Sequence, residues 1–229
     1  MTLALIDFMP RAACLVIGYF FGCFLTGAIV VRLKTGKNVS EFGTGNPGMA
    51  NVMSIFGVKT GLVVLAGDLL KTLLACLLCL FLFGGHYLPD PHLSIGQICC
   101  LWTGLGTVLG HNWPFWRGFS GGKGVAVTCM AISLFSPLWG ILANLAGMMV
   151  VLTTGYLPLG AVVITTLFAL FCYFFCGIEA FVLALILAAI MFTRHWRGLI
   201  RVIRGQEERN AQFLKRKKKA EDVTEESTP

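Results

Sequence analysis

Long runs of apolar residues alternate with short polar segments along this chain of 229 residues. A membrane-spanning helix needs about 20 consecutive apolar residues. The apolar runs predict spans at residues 12–31, 58–83, 95–110, 125–153, 157–176 and 178–193. The fourth run is too long for one helix and is interrupted at Ser136-Pro137, so we expect two short helices joined there. The pattern therefore predicts an all-α integral membrane protein with seven transmembrane helices.

Composition agrees with this class, because 56% of the residues are hydrophobic and only 13% are charged. A soluble domain normally has about 25% charged residues. The length suits one domain, and we assign residues 1–204 to a single transmembrane domain. Residues 205–229 form a charge run typical of a disordered tail. Most of the nine cysteines lie inside apolar runs, and no Cys/His spacing typical of a zinc site occurs, so we predict neither a disulfide framework nor a metal site.

The basic residues indicate the orientation of the chain in the membrane. The net charge is +7, and Lys and Arg concentrate in residues 32–51, in residues 111–124 and after Phe192. Seven spans place these regions on one side, which the positive-inside rule identifies as the cytoplasm. We therefore predict an outside N-terminus, a cytoplasmic C-terminus and a basic tail that contacts anionic membrane lipid, not nucleic acid. Six spans, with 125–153 as one helix, are the alternative.

Three Gly-rich or basic segments lie on the predicted cytoplasmic face. Closely spaced glycines allow backbone N–H groups to approach an anion, and a helix that begins directly afterwards adds its positive dipole end. The candidate residues of the first segment are Gly43, Thr44, Gly45, Asn46, Gly48 and Asn51. Those of the second are His111, Gly121, Gly122, Lys123 and Gly124, and those of the third are Arg194, His195 and Glu207. Together they predict a site for a phosphorylated substrate.

Charged residues also occur inside or beside the predicted spans. Asp68 and Lys71 are three residues apart, so they share one face of the second span, and we expect an internal ion pair. Glu179 begins the last span, where we expect it to cap the helix. Lys123 is followed by Gly124 and not by Ser or Thr, so the second segment is not a P-loop of the Walker type.

The three segments read GTGNPGMAN, GHNWPFWRGFSGGKGVA and RHWRGLIRVIRGQE. In this order they resemble the bacterial acyl-phosphate-dependent glycerol-3-phosphate acyltransferase family. The resemblance implies a seven-helix enzyme of the bacterial inner membrane with a cytoplasm-facing site. Such an enzyme transfers a fatty acyl group from acyl phosphate to the 1-hydroxyl of sn-glycerol 3-phosphate. The products are lysophosphatidic acid and phosphate, no cofactor is required, and the reaction is the first step of phospholipid synthesis.

The candidate roles follow from this chemistry, in which both substrates carry a phosphate. We expect Lys123, Arg194 and the backbone of 121–124 to neutralise phosphate oxygens. His195 would orient or deprotonate the attacking hydroxyl. Because an acyl phosphate is a mixed anhydride with a good leaving group, a weak base is sufficient.

Asn46 and the backbone of 43–48 would hold the second phosphate or stabilise the oxyanion. The resemblance also implies that Glu207 organises the third segment. Against the family pattern, Arg is replaced by Ser40 and the usual Asn three residues after the last His is Gly198. A weakly active or inactive paralogue, acting on another phosphorylated acceptor or as a scaffold, therefore remains an alternative, as does a transporter or flippase for an anionic lipid.

Overall fold

A computed structural model describes residues 2–84, 95–207 and 209 of the chain. Within these ranges the secondary structure is entirely helical. The α-helices are α1 (Thr2–Gly22), α2 (Thr26–Thr35), α3 (Met49–Phe56), α4 (Val58–Phe83), α5 (Ile95–Asn112), α6 (Val125–Phe135), α7 (Pro137–Thr154), α8 (Leu157–Phe175) and α9 (Gly177–Ile203). Two short 3-10 helices cover Val39–Glu41 and Phe115–Arg117. Most of the predicted disordered tail, and nearly all of the loop 84–94, lie outside the described residues.

Five helical segments of the described chain are long and apolar enough to cross a membrane. They are Phe8–Thr35, Val58–Phe83, Pro137–Thr154, Leu157–Phe175 and Gly177–Ile203. The predicted all-α membrane class is therefore confirmed. Helix α5 is not in this group; its Leu101, Leu105 and Val108 are buried against neighbouring helices, so the protein itself supplies much of its apolar environment.

Several predicted boundaries coincide with those of the structure. Helix α4 covers Val58–Phe83, as the apolar run predicts. The run 125–153 is divided at Ser136, and Pro137 is the first residue of α7, where its missing N–H costs no helical hydrogen bond. The alternative of one helix across 125–153 is therefore wrong.

The first predicted span, 12–31, is wrong as a single helix. Helix α1 ends at Gly22 and α2 begins at Thr26. The backbone carbonyls of Gly22 and Phe24 accept hydrogen bonds from Lys71 Nζ at 3.3 and 2.8 Å. The break is stabilised because a buried ammonium group binds carbonyls that the interrupted helix leaves free. A hydropathy pattern contains no sign of this tertiary contact.

Helices α1 and α5 pack with their backbones in close contact, because glycines line their interface. A Cβ atom at Gly106 would lie 2.1 Å from the carbonyl oxygen of Leu15, and one at Gly110 would lie 2.0 Å from that of Tyr19. Small residues allow this close approach of helices in a membrane. The packing places the end of α5, which carries His111, beside the break between α1 and α2.

The opposite end of the bundle is joined by a polar cluster. The guanidinium of Arg11 donates to both carboxylate oxygens of Glu179, at 2.6 and 2.8 Å. Trp102 Nε1 also donates to Glu179, at 2.7 Å. Glu179, in the first turn of α9, therefore connects this helix to α1 and α5. All nine cysteines are free thiols.

Candidate functional site

The second Gly-rich segment folds back over the end of α5. The N–H groups of Gly121 and Gly122 donate to the carbonyls of Asn112 and His111, at 3.1 and 2.9 Å. Helix α6 then begins, with Gly124 as its N-cap in the left-handed conformation at φ 80°. A residue with a side chain adopts this conformation at a cost, which explains a glycine at position 124.

Arg194 on α9 fixes this loop from the other side. Its guanidinium donates to the carbonyl of Gly122 at 2.6 Å and to that of Gly121 at 3.3 Å. The same group lies 5.4 Å from the ring centroid of Trp113, within the range of a cation–π contact. With the carbonyls directed at Arg194, the second and third segments form one unit.

Lys123 lies at the start of α6 and is half-buried. Burial lowers the pKa of its ammonium group from the ordinary value of 10.5, while the carboxylate of Glu207 opposes this shift and the nearby Arg201 and Arg194 add to it. Glu207 also forms an ion pair with Arg201. Lys123 is therefore a cation held among other cations, an arrangement that favours binding of an anion.

His195 is completely buried on the inner face of α9. Its Nδ1 lies 3.0 Å from the carbonyl oxygen of Met191. A carbonyl only accepts, so Nδ1 carries the proton of the neutral ring and Nε2 has a free lone pair. Among the described residues, Nε2 has no hydrogen-bond partner. The ring therefore presents a buried acceptor of known orientation.

The first turn of α6 offers free N–H groups beside Lys123, because no side chain of the described residues caps the helix. Sequence reasoning missed Asn112, which lies beneath this turn. Its carboxamide is completely buried, has no hydrogen-bond partner in the described structure, and would be 2.9 Å from a Cβ atom at Gly124. The one available signal was a polar residue directly after His111 at the end of an apolar helix.

The first segment is held together by its own asparagines. Asn51 Oδ1 accepts from the N–H of Thr44 at 2.8 Å, and Asn51 Nδ2 donates to the carbonyl of Asn46 at 2.9 Å. Asn46 Oδ1 accepts from the N–H of Gly48 at 2.9 Å, and the N–H of Gly45 donates to the carbonyl of Phe42. Several N–H groups that the sequence assigned to an anion are thus already used within the loop.

His111 contacts an ion pair in α4. Lys71 Nζ lies 2.9 Å from Asp68 Oδ1, so the expected internal ion pair is confirmed. The same nitrogen lies 2.9 Å from His111 Nδ1. The first segment is connected to this ion pair through α2, because the carbonyl of Pro47 packs against Gly27 of that helix.

The two departures from the family pattern occupy different environments. Ser40 is exposed at the surface. Gly198 is buried, and a Cβ atom there would lie 2.7 Å from Pro158 Cγ and 3.6 Å from Glu207 Oε1. Pro158 therefore occupies the space that a side chain at position 198 would need.

The structure thus brings the second and third segments into direct contact. Gly121 and Gly122 contact both His111 and Arg194. Lys123, His195 and Glu207 lie beside them. In the described chain no hydrogen bond joins loop 43–48 to loop 121–124. The arrangement supplies an anion site next to an unprotonated ring nitrogen.

Comparisons of the sequence with a family model and with known proteins indicate the same family. The family model for glycerol-3-phosphate acyltransferase matches residues 12–205. A glycerol-3-phosphate acyltransferase 1 from Lactobacillus johnsonii is 37% identical over 211 residues, which cover 92% of this chain and 98% of that protein. A glycerol-3-phosphate acyltransferase from Alkaliphilus metalliredigens is 30% identical over 201 residues, covering 88% and 96%.

Two crystal structures of an integral membrane glycerol 3-phosphate acyltransferase have a similar fold. The glycerol 3-phosphate form has a TM-score of 0.74 and 28% identity, and the match covers 87% of this chain and 94% of that chain. The lysophosphatidic acid form has a TM-score of 0.73 and 27% identity, with 89% and 98% covered.

Proposed function

The chain belongs to the glycerol-3-phosphate acyltransferase family and acylates glycerol 3-phosphate, and we propose that its acyl donor is an acyl phosphate. The 1-hydroxyl oxygen attacks the acyl carbon and forms the ester bond. The bond between the acyl carbon and the phosphate oxygen breaks, and inorganic phosphate leaves. The hydroxyl proton passes to His195 Nε2 and then to the departing phosphate, so the enzyme is unchanged after one turnover.

One observation carries this proposal: the uncapped start of α6, with Lys123, faces Arg194 and His195 of α9. Free N–H groups at a helix start and a nearby ammonium group are the usual means of binding a phosphate. A free ring nitrogen beside them meets the second requirement, a proton acceptor close to the bound alcohol.

His195 acts as the acceptor for the attacking hydroxyl. Its Nδ1–H is directed at the carbonyl of Met191, so Nε2 is the basic nitrogen. Because the ring is completely buried, its orientation is fixed before substrate binds. Only a weak base is needed, since phosphate is a good leaving group.

Lys123 and the first N–H groups of α6 bind the phosphate of glycerol 3-phosphate. Gly121, Gly122 and Gly124 give the loop its close approach, and Arg194 holds the loop through its carbonyls. His111 contributes a donor from beneath the loop.

Asn46 and Asn51 shape loop 43–48 for the second phosphate or the oxyanion. Gly43, Gly45 and Gly48 permit the tight backbone, and Thr44 is fixed by its N–H bond to Asn51. The Asn46 Nδ2 group, which no hydrogen bond of the described structure uses, is available to a substrate. Glu207 orders the end of α9 by pairing with Arg201 and favours the protonated form of Lys123, because its carboxylate raises the pKa that burial lowers.

The membrane arrangement that fits this site has seven spans, an outside N-terminus and a cytoplasmic C-terminus in the bacterial inner membrane. Residues 1–204 form the transmembrane domain and 205–229 the tail. The guanidinium of Arg209 lies 5.7 Å from the ring centroid of Tyr156, which supports placing the α7–α8 turn and the tail on one side. A reporter fused after Pro229 tests this: it should be active only as a cytoplasmic reporter, and activity as an exported one contradicts the orientation.

Acyl transfer by the purified protein tests the proposed reaction. With acyl phosphate and labelled glycerol 3-phosphate, the wild type should form lysophosphatidic acid, and His195→Ala should lower kcat about 100-fold or more. Lys123→Ala should raise KM for glycerol 3-phosphate about tenfold or more. Arg197→Ala, an exposed site on α9, is the matched control and should change neither constant.

Three results would contradict the proposal. The first is no lysophosphatidic acid above background. The second is equal activity of wild type, His195→Ala and Lys123→Ala. The third is faster product formation with acyl coenzyme A than with acyl phosphate, which would reject the proposed donor while leaving the acceptor intact.

A further inference from the structure

The buried ion pair of α4 lies directly beneath the proposed phosphate loop. The Asp68 side chain is 3% exposed and that of Lys71 is 5% exposed, with Nζ and Oδ1 2.9 Å apart. Charged groups inside a membrane protein are costly, and a buried pair is weak evidence of stabilisation. The other contacts of the pair therefore indicate its function.

Lys71 determines which nitrogen of His111 carries the proton. An ammonium group has three donors and no acceptor. Its closest partners are Phe24 O at 2.8 Å and, at 2.9 Å each, Asp68 Oδ1 and His111 Nδ1. The more distant Gly22 O, at 3.3 Å, shares one of these three donors. Asp68 Oδ1 is 3.7 Å from Nδ1, so Lys71 is the direct partner of the ring. Nδ1 accepts from Lys71, and the proton of the neutral imidazole is on Nε2.

The Nε2 edge of His111 faces the loop. A Cβ atom on Gly122 would lie 2.0 Å from this nitrogen. The carbonyl of His111 also accepts from the N–H of Gly122, at 2.9 Å. His111 thus supports loop 121–124 through its backbone carbonyl and directs its ring N–H towards the same loop.

The ion pair also contacts the part of the chain that carries the first Gly-rich segment. Thr26 Oγ1 donates to Asp68 Oδ1 at 3.4 Å. The next residue, Gly27, packs against the carbonyl of Pro47. Contacts of the pair therefore extend towards both loops, through Thr26 and Gly27 to loop 43–48 and through His111 to loop 121–124.

We propose that Asp68 and Lys71 are positioning residues that hold His111 in the Nε2–H form, so that this N–H donates to the phosphate bound at loop 121–124. This inference rests on the phosphate-binding role proposed for His111. Asp68 fixes the ammonium group, the ammonium group fixes the ring, and the ring supplies a neutral donor where an anion binds. Lys71 itself does not contact the substrate.

We call the chain of contacts from Asp68 through Lys71 to His111 the relay. Steady-state kinetics of Lys71→Met test it. Methionine keeps the length of the side chain but offers Nδ1 no donor, so we expect KM for glycerol 3-phosphate to rise about tenfold with a much smaller change in kcat. Thr72→Val is the matched control, since Thr72 is also buried on α4 and, among the described residues, its hydroxyl bonds only the carbonyl of Asp68. An unchanged KM in folded Lys71→Met would overturn the relay.

A double-mutant cycle separates the relay from a general loss of packing. If Lys71 acts through His111, Lys71→Met should add little to the KM of His111→Ala. Additive effects would overturn the inference and leave the proposed role of His111 intact. A normal KM in His111→Ala would instead reject the role of His111, and the inference with it.

The wild-type protein provides a direct measurement that no folding failure can obscure. Nitrogen-15 NMR of labelled histidine, with His111 assigned by comparison with His111→Ala, reports which ring nitrogen is protonated. We expect protonated Nε2 and unprotonated Nδ1. A proton on Nδ1 would contradict the proposed relay, whatever the kinetics of the variants.

Discussion

Gly122 lies directly over the imidazole of His111, where a Cβ atom would be 2.0 Å from Nε2. We predict that Gly122→Ala displaces the loop, raises KM for glycerol 3-phosphate about tenfold or more and costs about 1–3 kcal/mol of stability through overpacking. Ser120→Ala in the same loop is the control. Kinetics and thermal unfolding in detergent measure both effects, and a normal KM in Gly122→Ala would show that the contact is unimportant.

Gly198 packs against Pro158, so that a Cβ atom added at position 198 would lie 2.7 Å from Pro158 Cγ. We predict that Gly198→Asn, which introduces the residue of the family pattern, destabilises the protein by about 1–3 kcal/mol because the side chain meets the proline ring. The double variant with Pro158→Ala should recover part of this loss. Thermal unfolding of both variants measures it, and full stability of the single variant would contradict the prediction.

Asn51 forms the centre of the first loop. Its Oδ1 accepts from Thr44, and its Nδ2 donates to the carbonyls of Phe42 and Asn46. In Asn51→Asp a carboxylate oxygen replaces the donor and faces both carbonyls, so we expect a loss of about 2–4 kcal/mol and little activity. Ser54→Ala, which removes one local hydroxyl bond of the same helix, is the control for thermal unfolding and kinetics. Near wild-type stability of Asn51→Asp would contradict this account of the loop.

The pKa of Lys123 predicts the alkaline limit of activity. Burial lowers this pKa below 10.5, and Glu207 opposes the shift. Only the protonated amine binds phosphate, so kcat/KM should fall as pH rises through the lowered pKa. Glu207→Gln removes the opposing carboxylate and should move this fall in kcat/KM to lower pH. Lys123→Arg should move it to higher pH. A pH profile that is identical in all three proteins would exclude Lys123 as the titrating group.

Much of the fold could be predicted because hydropathy determines which segments are buried in the membrane. The bounds of α4 and the break before Pro137 followed from apolar length and from the missing N–H of proline. The break after Gly22 did not, because it depends on the ammonium group of Lys71, which lies far away in the sequence.

The site was predicted less completely, since spacing shows which residue types are present and not which groups they bind. The glycines, Lys123 and His195 were identified from the segments that contain them. The internal hydrogen bonds of Asn51, the partnership of His111 with Lys71 and the unpaired carboxamide of Asn112 depend on tertiary contacts. Residue spacing along the sequence does not predict such contacts between distant segments.

The central claim is that substrate phosphate binds at the start of α6 while the reacting hydroxyl meets His195. A crystal structure of this protein with glycerol 3-phosphate tests it most directly. We predict phosphate oxygens within hydrogen-bond distance of Lys123 and the first N–H groups of α6, and the 1-hydroxyl within about 3.2 Å of His195 Nε2. A phosphate bound elsewhere, with Nε2 out of reach of the hydroxyl, would contradict the account.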